Sequence, residues 1–324
     1  MTLTNRPILV AGAGGFIGGW LVKSLIEIGE NSIRAVDIKP LNDWYQKFPE
    51  VENLVLDLKD PKAAEVAVKN SKIVYNLAAD MGGMGFIESN KALCMLSVLI
   101  NTNLLVESKK NKVDKFFFAS SACVYNQEKQ LVTQNPGLKE EDAYPAMPED
   151  GYGWEKLFSE RMCRHFSEDF GLQVRIARFH NVYGPKGTFD GGREKAPAAI
   201  CRKVARAFIS GNHEIDIWGD GEQTRSFTYI DDTIEGIRRL MESDFQDPIN
   251  LGSDQMVSIN EMVDIVEKIA GISLTRKYDL GAPKGVRGRN SNNELITKVL
   301  DWAPSISLKD GLSKNYKWIL DQLS

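Results

Sequence analysis

The run Pro7-Ile8-Leu9-Val10-Ala11-Gly12-Ala13-Gly14-Gly15-Phe16-Ile17-Gly18 decides the fold. Pro7 to Ala11 is apolar and uncharged and reads as a short buried strand. Gly12, Gly15 and Gly18 then recur at the spacing of a dinucleotide loop. Gly12 permits the tight turn and Gly15 lets backbone approach a pyrophosphate. Gly18 lets the next helix lie against the strand, with its first N–H groups facing the phosphates. Phe16 and Ile17 lie inside the loop and are cofactor-binding candidates with the glycines. Many glycine-rich loops look alike. This one is marked by its place between a first strand and an amphipathic pattern from Trp20 to Ile28.

Working outward, Ile33 to Val36 is a second strand that ends at Asp37, 19 residues after Gly18. A carboxylate there accepts hydrogen bonds from a ribose and repels a 2′-phosphate, which favours NAD over NADP. Lys39 nearby pulls the other way. Leu54-Val55-Leu56 leads to Asp57 and Leu58, expected beside the adenine. Ile73 to Ala79 reads as the fourth strand. Its small residues, Ala78 among them, let the chain pass close to the cofactor. Strands alternating with helices imply a parallel sheet with right-handed crossovers. The expected fold is α/β: a Rossmann-type doubly wound parallel sheet with a smaller mixed α/β substrate domain. Residues 1–180 are mainly the NAD-binding part and 181–324 mainly the substrate part, with the chain crossing back between them. Ile249 to Gly252, a helix from Ile259 to Ala270 and the segment from Leu295 onward are assigned to the smaller domain.

The 324 residues suffice for one large α/β domain or one and a half, and 43% apolar content suffices for its core. A net charge of −4, from 40 basic and 44 acidic residues, gives no reason to expect nucleic acid binding. Cys94, Cys123, Cys163 and Cys201 form no C-x-x-C pair, and three histidines add no zinc spacing, so no metal is expected. Reduced thiols and an N-terminus running from Met1 straight into a strand, without a targeting core, suggest the cytoplasm. No apolar run reaches the roughly 20 residues that span a bilayer. The longest, Ala92 to Val106, reads as a buried helix.

Chemistry is expected between Ser120 and Lys156. The apolar run Phe116-Phe117-Phe118-Ala119 stops at Ser120 and Ser121, as a buried strand does at a site on its carboxyl end. Tyr152 and Lys156, four apart on a helix, face the same way. An ammonium beside a phenol favours the phenolate, making Tyr152 a usable base below its free pKa of about 10. Ser121 can hold the substrate hydroxyl that the phenolate deprotonates. After the sixth strand, Gln173 to Arg178, Asn181 is a candidate to hold a sugar or phosphate, whereas His180 reads as a packed loop histidine. Ala196 to Ile209 reads as a helix. Arg225 and Arg287 are candidates for forked phosphate binding. Phe227 to Asp232 is expected to start a helix capped by aspartate.

Gly12-x-x-Gly15-x-x-Gly18, Asn76-Leu77-Ala78-Ala79, Ser120-Ser121-Ala122 and Tyr152-x-x-x-Lys156 together resemble the extended short-chain dehydrogenase/reductases, and the likeness covers essentially the whole chain. Members act on nucleotide sugars with NAD or NADP. Within that family, several blocks are similar to those of epimerases that invert carbons 3 and 5. They are Met81 to Phe86, Ser120 to Cys123, Gly191 to Ala199, Trp218 to Gly221 with Gln223 to Phe227, and Gly285 to Asn290. Two residues depart: Gly151 stands where alanine is expected and Tyr144 where tryptophan is.

The resemblance implies an isomerase taking GDP-D-mannose to GDP-L-galactose and GDP-L-gulose, with tightly bound NAD. It makes Cys123 and Lys195 the acid–base pair and gives Ser121, Tyr152 and Lys156 the transient oxidation at carbon 4. It puts Gly82, Gly83, Ser121, Asn181, Glu194, Lys195, Lys203, Gln223, Arg225 and Arg287 on the substrate. Cys123 would then need a lowered pKa. Leu93 to Lys109 would build a homodimer interface. Taken singly, the blander readings are a flexible Met81–Phe86 loop, a core-filling Cys123 and solvated Lys195 and Lys203. Two other functions compete: an NAD-dependent nucleotide-sugar 4-epimerase or 4,6-dehydratase, and an NAD-binding regulatory protein without turnover.

Overall fold

The computed structural model describes residues 6–283 and 285–324. The expectation about a targeting core falls partly on Met1 to Asn5, which lie outside the described residues. The chain begins with alternating strands and helices: β1 (Ile8–Ala11), α1 (Phe16–Glu27), β2 (Ile33–Asp37), β3 (Glu52–Val55), α2 (Pro61–Val68) and β4 (Ile73–Asn76). Then come α3 (Met84–Ser89), α4 (Lys91–Met95), α5 (Ser97–Lys110), β5 (Lys115–Ser121), α6 (Asp150–Phe170) and β6 (Gln173–Phe179). The remainder is β7 (Val182–Tyr183), α7 (Ala196–Ser210), β8 (Glu214–Trp218), β9 (Thr224–Ser226), β10 (Thr228–Tyr229), α8 (Ile230–Glu242) and β11 (Pro248–Leu251). It ends with β12 (Met256–Ser258), α9 (Ile259–Ala270), β13 (Thr275–Asp279), β14 (Gly288–Arg289), α10 (Glu294–Leu300) and α11 (Leu308–Leu323).

Seven strands form one parallel sheet in the order β11-β6-β5-β4-β1-β2-β3. Successive side chains leave opposite faces of a strand, and a doubly covered sheet needs both faces apolar. Ile8, Val10, Tyr75 and Phe117 therefore enter one core, which continues into α7, α9 and α11. Leu9, Ala11, Val74, Phe116 and Phe118 enter the other, with Leu104 and Leu105 of α5 and Cys163 of α6. The other named strands form the small sheets β12-β9-β14, β10-β7 and β13-β8.

Five local expectations need correcting. Helix α1 starts at Phe16, not Trp20, because glycine at 18 lets the first turn press onto the loop: a Cβ there would overlap the Gly12 carbonyl oxygen. Met81 to Phe86 is only half a loop, since α3 begins at Met84 behind Gly83. The apolar run from Ala92 to Val106 is two helices, broken at Leu96, and one side of it is exposed. Ile249 to Leu251 lies in the large sheet, where β11 pairs with β6. Finally, the cap of α8 is Tyr229 with no side-chain bond. Asp232 instead accepts the backbone N–H groups of Ser305 and Ile306, at 3.1 and 2.8 Å.

One buried ion pair ties the site-bearing elements together. Arg178 of β6 forks onto Glu160 of α6, Nε to Oε1 at 2.9 Å and Nη2 to Oε2 at 2.7 Å. Ser120 Oγ of β5 donates to the same Glu160 Oε1 at 2.5 Å. Both members of the pair are buried. Removing one partner strands the other charge, which typically costs about 3–5 kcal/mol. Glu160→Ala is expected to lose stability on that scale in urea titration. A loss under about 1 kcal/mol, the range of an exposed ion pair, would show that the pair does not lock β5, β6 and α6.

Candidate active site

The end of β5, the turn that follows it and the head of α6 set the first part of the site. At the end of β5 the chain makes a single 3-10 turn, Ala122–Val124, because Ser121 Oγ accepts the Cys123 N–H at 3.2 Å. The head of α6 lies hard against this turn. Glu149 N donates to the Cys123 carbonyl at 2.9 Å, and a Cβ at Gly153 would overlap that same oxygen. Tyr152 thereby arrives beside β5 and lines the same cavity as Ser121. Lys156 sits one turn on, buried, with Nζ 5.6 Å from the centroid of the Tyr152 ring. Its nearest carboxylate is Glu155, Oε2 at 3.5 Å.

The loops before α3 and α7 set the second part. Gly83 N donates to the Arg193 carbonyl at 3.1 Å, and a Cβ at Gly83 would overlap the Glu194 carbonyl. Gly82 is equally tight against Phe86, where a Cβ would come within 2.8 Å. The two glycine-bearing loops singled out in the sequence are thus zipped to each other. Lys195 follows as the N-cap residue of α7 and interacts electrostatically with Cys123. Burial, and then Arg289, hold its ammonium below the ordinary lysine range.

A cavity of about 500 Å³ runs along the carboxyl edge of the sheet. It is lined by Gly12, Gly15, Phe16, Ile17 and Gly18, by Asp37, Asp57, Leu58 and Ala78, and by Ser121, Tyr152, Lys156 and Lys195. The glycines make it a cradle: a Cβ at Gly12 would lie within 2.9 Å of the Leu77 and Ala78 backbone. Asp37 is almost fully buried at the end of β2, and the Lys39 ammonium turns away to the Gly14 carbonyl at 3.3 Å. This donor set fits a dinucleotide with a free 2′-hydroxyl.

The electrostatics differ from expectation at two residues. Burial, then the charges of Cys123 and Glu155, push the Tyr152 phenol well above the usual tyrosine range. The Lys156 ammonium lies 4.8 Å from the Phe118 ring and 5.6 Å from that of Tyr152, with Glu155 at 3.5 Å. The Cys123 thiol is likewise pushed up, by burial and then by Glu149. The lowered pKa expected for this thiol is therefore not a property of the protein alone.

Of the remaining substrate candidates, most are engaged with the protein. Asn181 donates to the Ser226 carbonyl at 3.0 Å, and Glu194 accepts from Arg202 at 2.8 Å. Lys203 donates to the Asp216 carbonyl at 2.5 Å, and Gln223 to that of Trp218 at 3.0 Å. Arg287 grips Asp220 with one nitrogen, at 2.9 and 3.0 Å. Arg225 is buried near Arg289 and Glu149, and burial holds it down to about 10. His180 is a packed histidine, as expected: it is fully buried, bonded to Asn250 at 2.9 Å, and held down to about 3 by burial.

Two site residues escaped sequence reasoning. Arg289 is buried and reaches Cys123 Sγ with Nη1 at 3.6 Å and Glu149 Oε2 with Nη2 at 2.7 Å. It lies two residues from Arg287, in the same Gly285–Asn290 block, and only burial tells them apart. Glu149 stands three residues before Tyr152. Its signal was that closeness, since a carboxylate at a helix start ordinarily reads as a dipole partner.

Comparison with known proteins agrees with this architecture. A model of the NAD dependent epimerase/dehydratase family matches residues 8–252. GDP-mannose 3,5-epimerase of Arabidopsis thaliana is 46% identical over 98% of this chain and 83% of its own length. GDP-mannose 3,5-epimerase 1 of Oryza sativa subsp. indica is 46% identical over 98% and 82%. Among solved structures, the UDP-glucuronic acid 4-epimerase of Bacillus cereus, in complex with UDP-glucuronic acid and NAD, aligns with a TM-score of 0.83 at 26% identity, covering 98% of this chain and 100% of that one. The UDP-glucose 4-epimerase of Thermotoga maritima, with UDP-glucose, shares the fold at a TM-score of 0.87 and 24% identity, over 98% and 100%. The chain belongs to the NAD dependent epimerase/dehydratase family.

Proposed function

We propose that this chain is a GDP-mannose 3,5-epimerase, an isomerase that converts GDP-D-mannose to GDP-L-galactose and, as a second product, GDP-L-gulose. The observation that carries this reading is the placing of Lys195, at the head of α7, on the cavity that Ser121, Tyr152 and Lys156 line, with Cys123 on the turn two residues beyond Ser121. A 4-epimerase or dehydratase needs the serine, tyrosine and lysine but not this pair. The two plant relatives named above support the same reading.

The roles follow from the chemistry of each group. NAD in the glycine cradle supplies reversible hydride acceptance at carbon 4 of the sugar. Tyr152 takes the proton of the carbon 4 hydroxyl, and Ser121 orients that hydroxyl. Lys156 supplies positive charge close to the phenol. With carbon 4 at the ketone level, the protons on carbons 3 and 5 become removable. Of Cys123 and Lys195, one takes the proton and the other returns one to the opposite face. Burial draws the amine and the thiol toward their uncharged forms, a proton acceptor and a proton donor. Each such group typically contributes about 10²- to 10⁴-fold. Arg225, Arg287 and Lys203 would leave their present partners for the diphosphate, and Asn181, Gln223, Glu194, Gly82 and Gly83 would frame the sugar.

The same reading extends to a homodimer. Met95, Leu96 and Leu99 at the α4–α5 break, with Trp154 and Phe158 of α6, leave large apolar side chains exposed on helices that pack side by side. Four free buried cysteines suit a reducing compartment such as the cytoplasm. Among the described residues no helix is long and apolar enough to cross a membrane.

Two measurements check this. Cys123→Ala is expected to keep NAD bound yet lose at least 10²-fold in deuterium uptake at carbons 3 and 5 of GDP-mannose. Normal exchange in that variant would remove Cys123 from the mechanism. Phe158→Glu is expected to turn a dimer into a monomer in sedimentation velocity. If the parent chain is already a monomer, the dimer assignment is wrong.

A further inference from the structure

The side chain of Glu149 is in an unusual place. Glu149 is the N-cap residue of α6, yet its carboxylate makes no capping bond. It turns inward, is almost fully buried, and shares the Arg289 guanidinium with the Cys123 sulfur. A buried carboxylate next to a thiol is costly unless it is paired. The pairing is provided by Arg289, whose three kinds of nitrogen are all committed: Nε to Gln130 Oε1 at 2.6 Å, Nη1 to Cys123 Sγ at 3.6 Å, Nη2 to Glu149 Oε2 at 2.7 Å. A carboxylate is thus kept close to the thiol through a buried ion pair, which points to a use.

We propose that Glu149 is a positioning residue for the acid–base reaction: clamped by Arg289, its carboxylate receives the Cys123 S–H, aims the thiol and sets the pH range in which the site turns over. This rests on the reading of Cys123 as one of the two acid–base groups. When the thiol gives up its proton, the S–H bond breaks, a C–H bond forms on the sugar, and the electron pair stays on sulfur. The amine of Lys195 holds the proton removed from the other face. The new thiolate faces Glu149, which disfavours it, and Arg289, which favours it. The other groups acting on the thiol are the Ser121 hydroxyl of β5, Cys94 of α4, Tyr152 of α6, Lys195 at the head of α7 and Arg225 of β9. Glu149 is the one carboxylate among these groups. Its charge beside the thiol opposes ionisation, as burial does.

The test is the pH dependence of Cys123 alkylation by iodoacetamide in the full chain with NAD, read on the Cys123 peptide by mass spectrometry. No substrate is present, so the result is independent of which sugar the enzyme takes. Glu149→Gln is expected to lower the alkylation midpoint by about 1 pH unit or more, and to move the matching limb of the kcat/KM profile with it. Glu149→Asp, which keeps the charge, is expected to return the midpoint most of the way. An unchanged or raised midpoint in Glu149→Gln overturns the proposal. A second reading needs no Glu149 variant: the infrared S–H stretch that disappears in Cys123→Ala is expected below the free-thiol position. A band at the free-thiol position would also overturn it.

Discussion

The site depends on the buried fork between Arg178 and Glu160. Ser121 leaves the end of β5, while Tyr152 and Lys156 ride on α6. Their relative register must be fixed to a fraction of an ångström for a proton to pass. Glu160 fixes it by accepting from Ser120 on β5 and Arg178 on β6 at once. Such a pair contributes little net stability compared with an apolar substitute. Its geometry, though, is directional, and an apolar contact could slide. The hydroxyl of Ser120 is consumed by this structural task, which leaves Ser121 as the serine open to the proposed reaction.

The same economy of charge recurs at the mouth of the site. Glu149, Arg289 and Cys123 are buried, with Arg289 pairing Glu149, and the half-buried Lys195 lines the cavity beside them. Burial draws the thiol and the amine toward neutrality, so that one can give a proton and the other can take one. The loops before α3 and α7 are joined to each other. Gly83 is locked onto the Arg193–Glu194 backbone, and α7 starts at Lys195 itself. A thiol and an amine placed this way suit the proposed reaction, in which protons are exchanged at two carbons of one ring without the sugar leaving.

Much of this was legible in the sequence. The glycine spacing, the strand ends at Asp37 and Ser121, and the Tyr152–Lys156 pair depend on local rules, and the structure gathers all of them around one cavity. Three things were not legible. The return of β11 to the large sheet is a long-range pairing that no local pattern encodes. Arg289 and Arg287 have the same chemistry and alternate in one block; only burial separates the one on Cys123 from the one on Asp220. The ionisation of Tyr152 and Cys123 depends on surrounding low-dielectric volume and on Glu149 and Glu155, which spacing rules do not weigh.

The central claim is epimerisation of GDP-mannose at carbons 3 and 5. Proton NMR of the purified chain with GDP-mannose in heavy water, with no NAD added, tests it most directly. The expected result is deuterium at both carbons together with new L-sugar signals. Absence of exchange, persisting after NAD is supplied, would contradict it and turn attention to 4-epimerase or dehydratase chemistry on another nucleotide sugar.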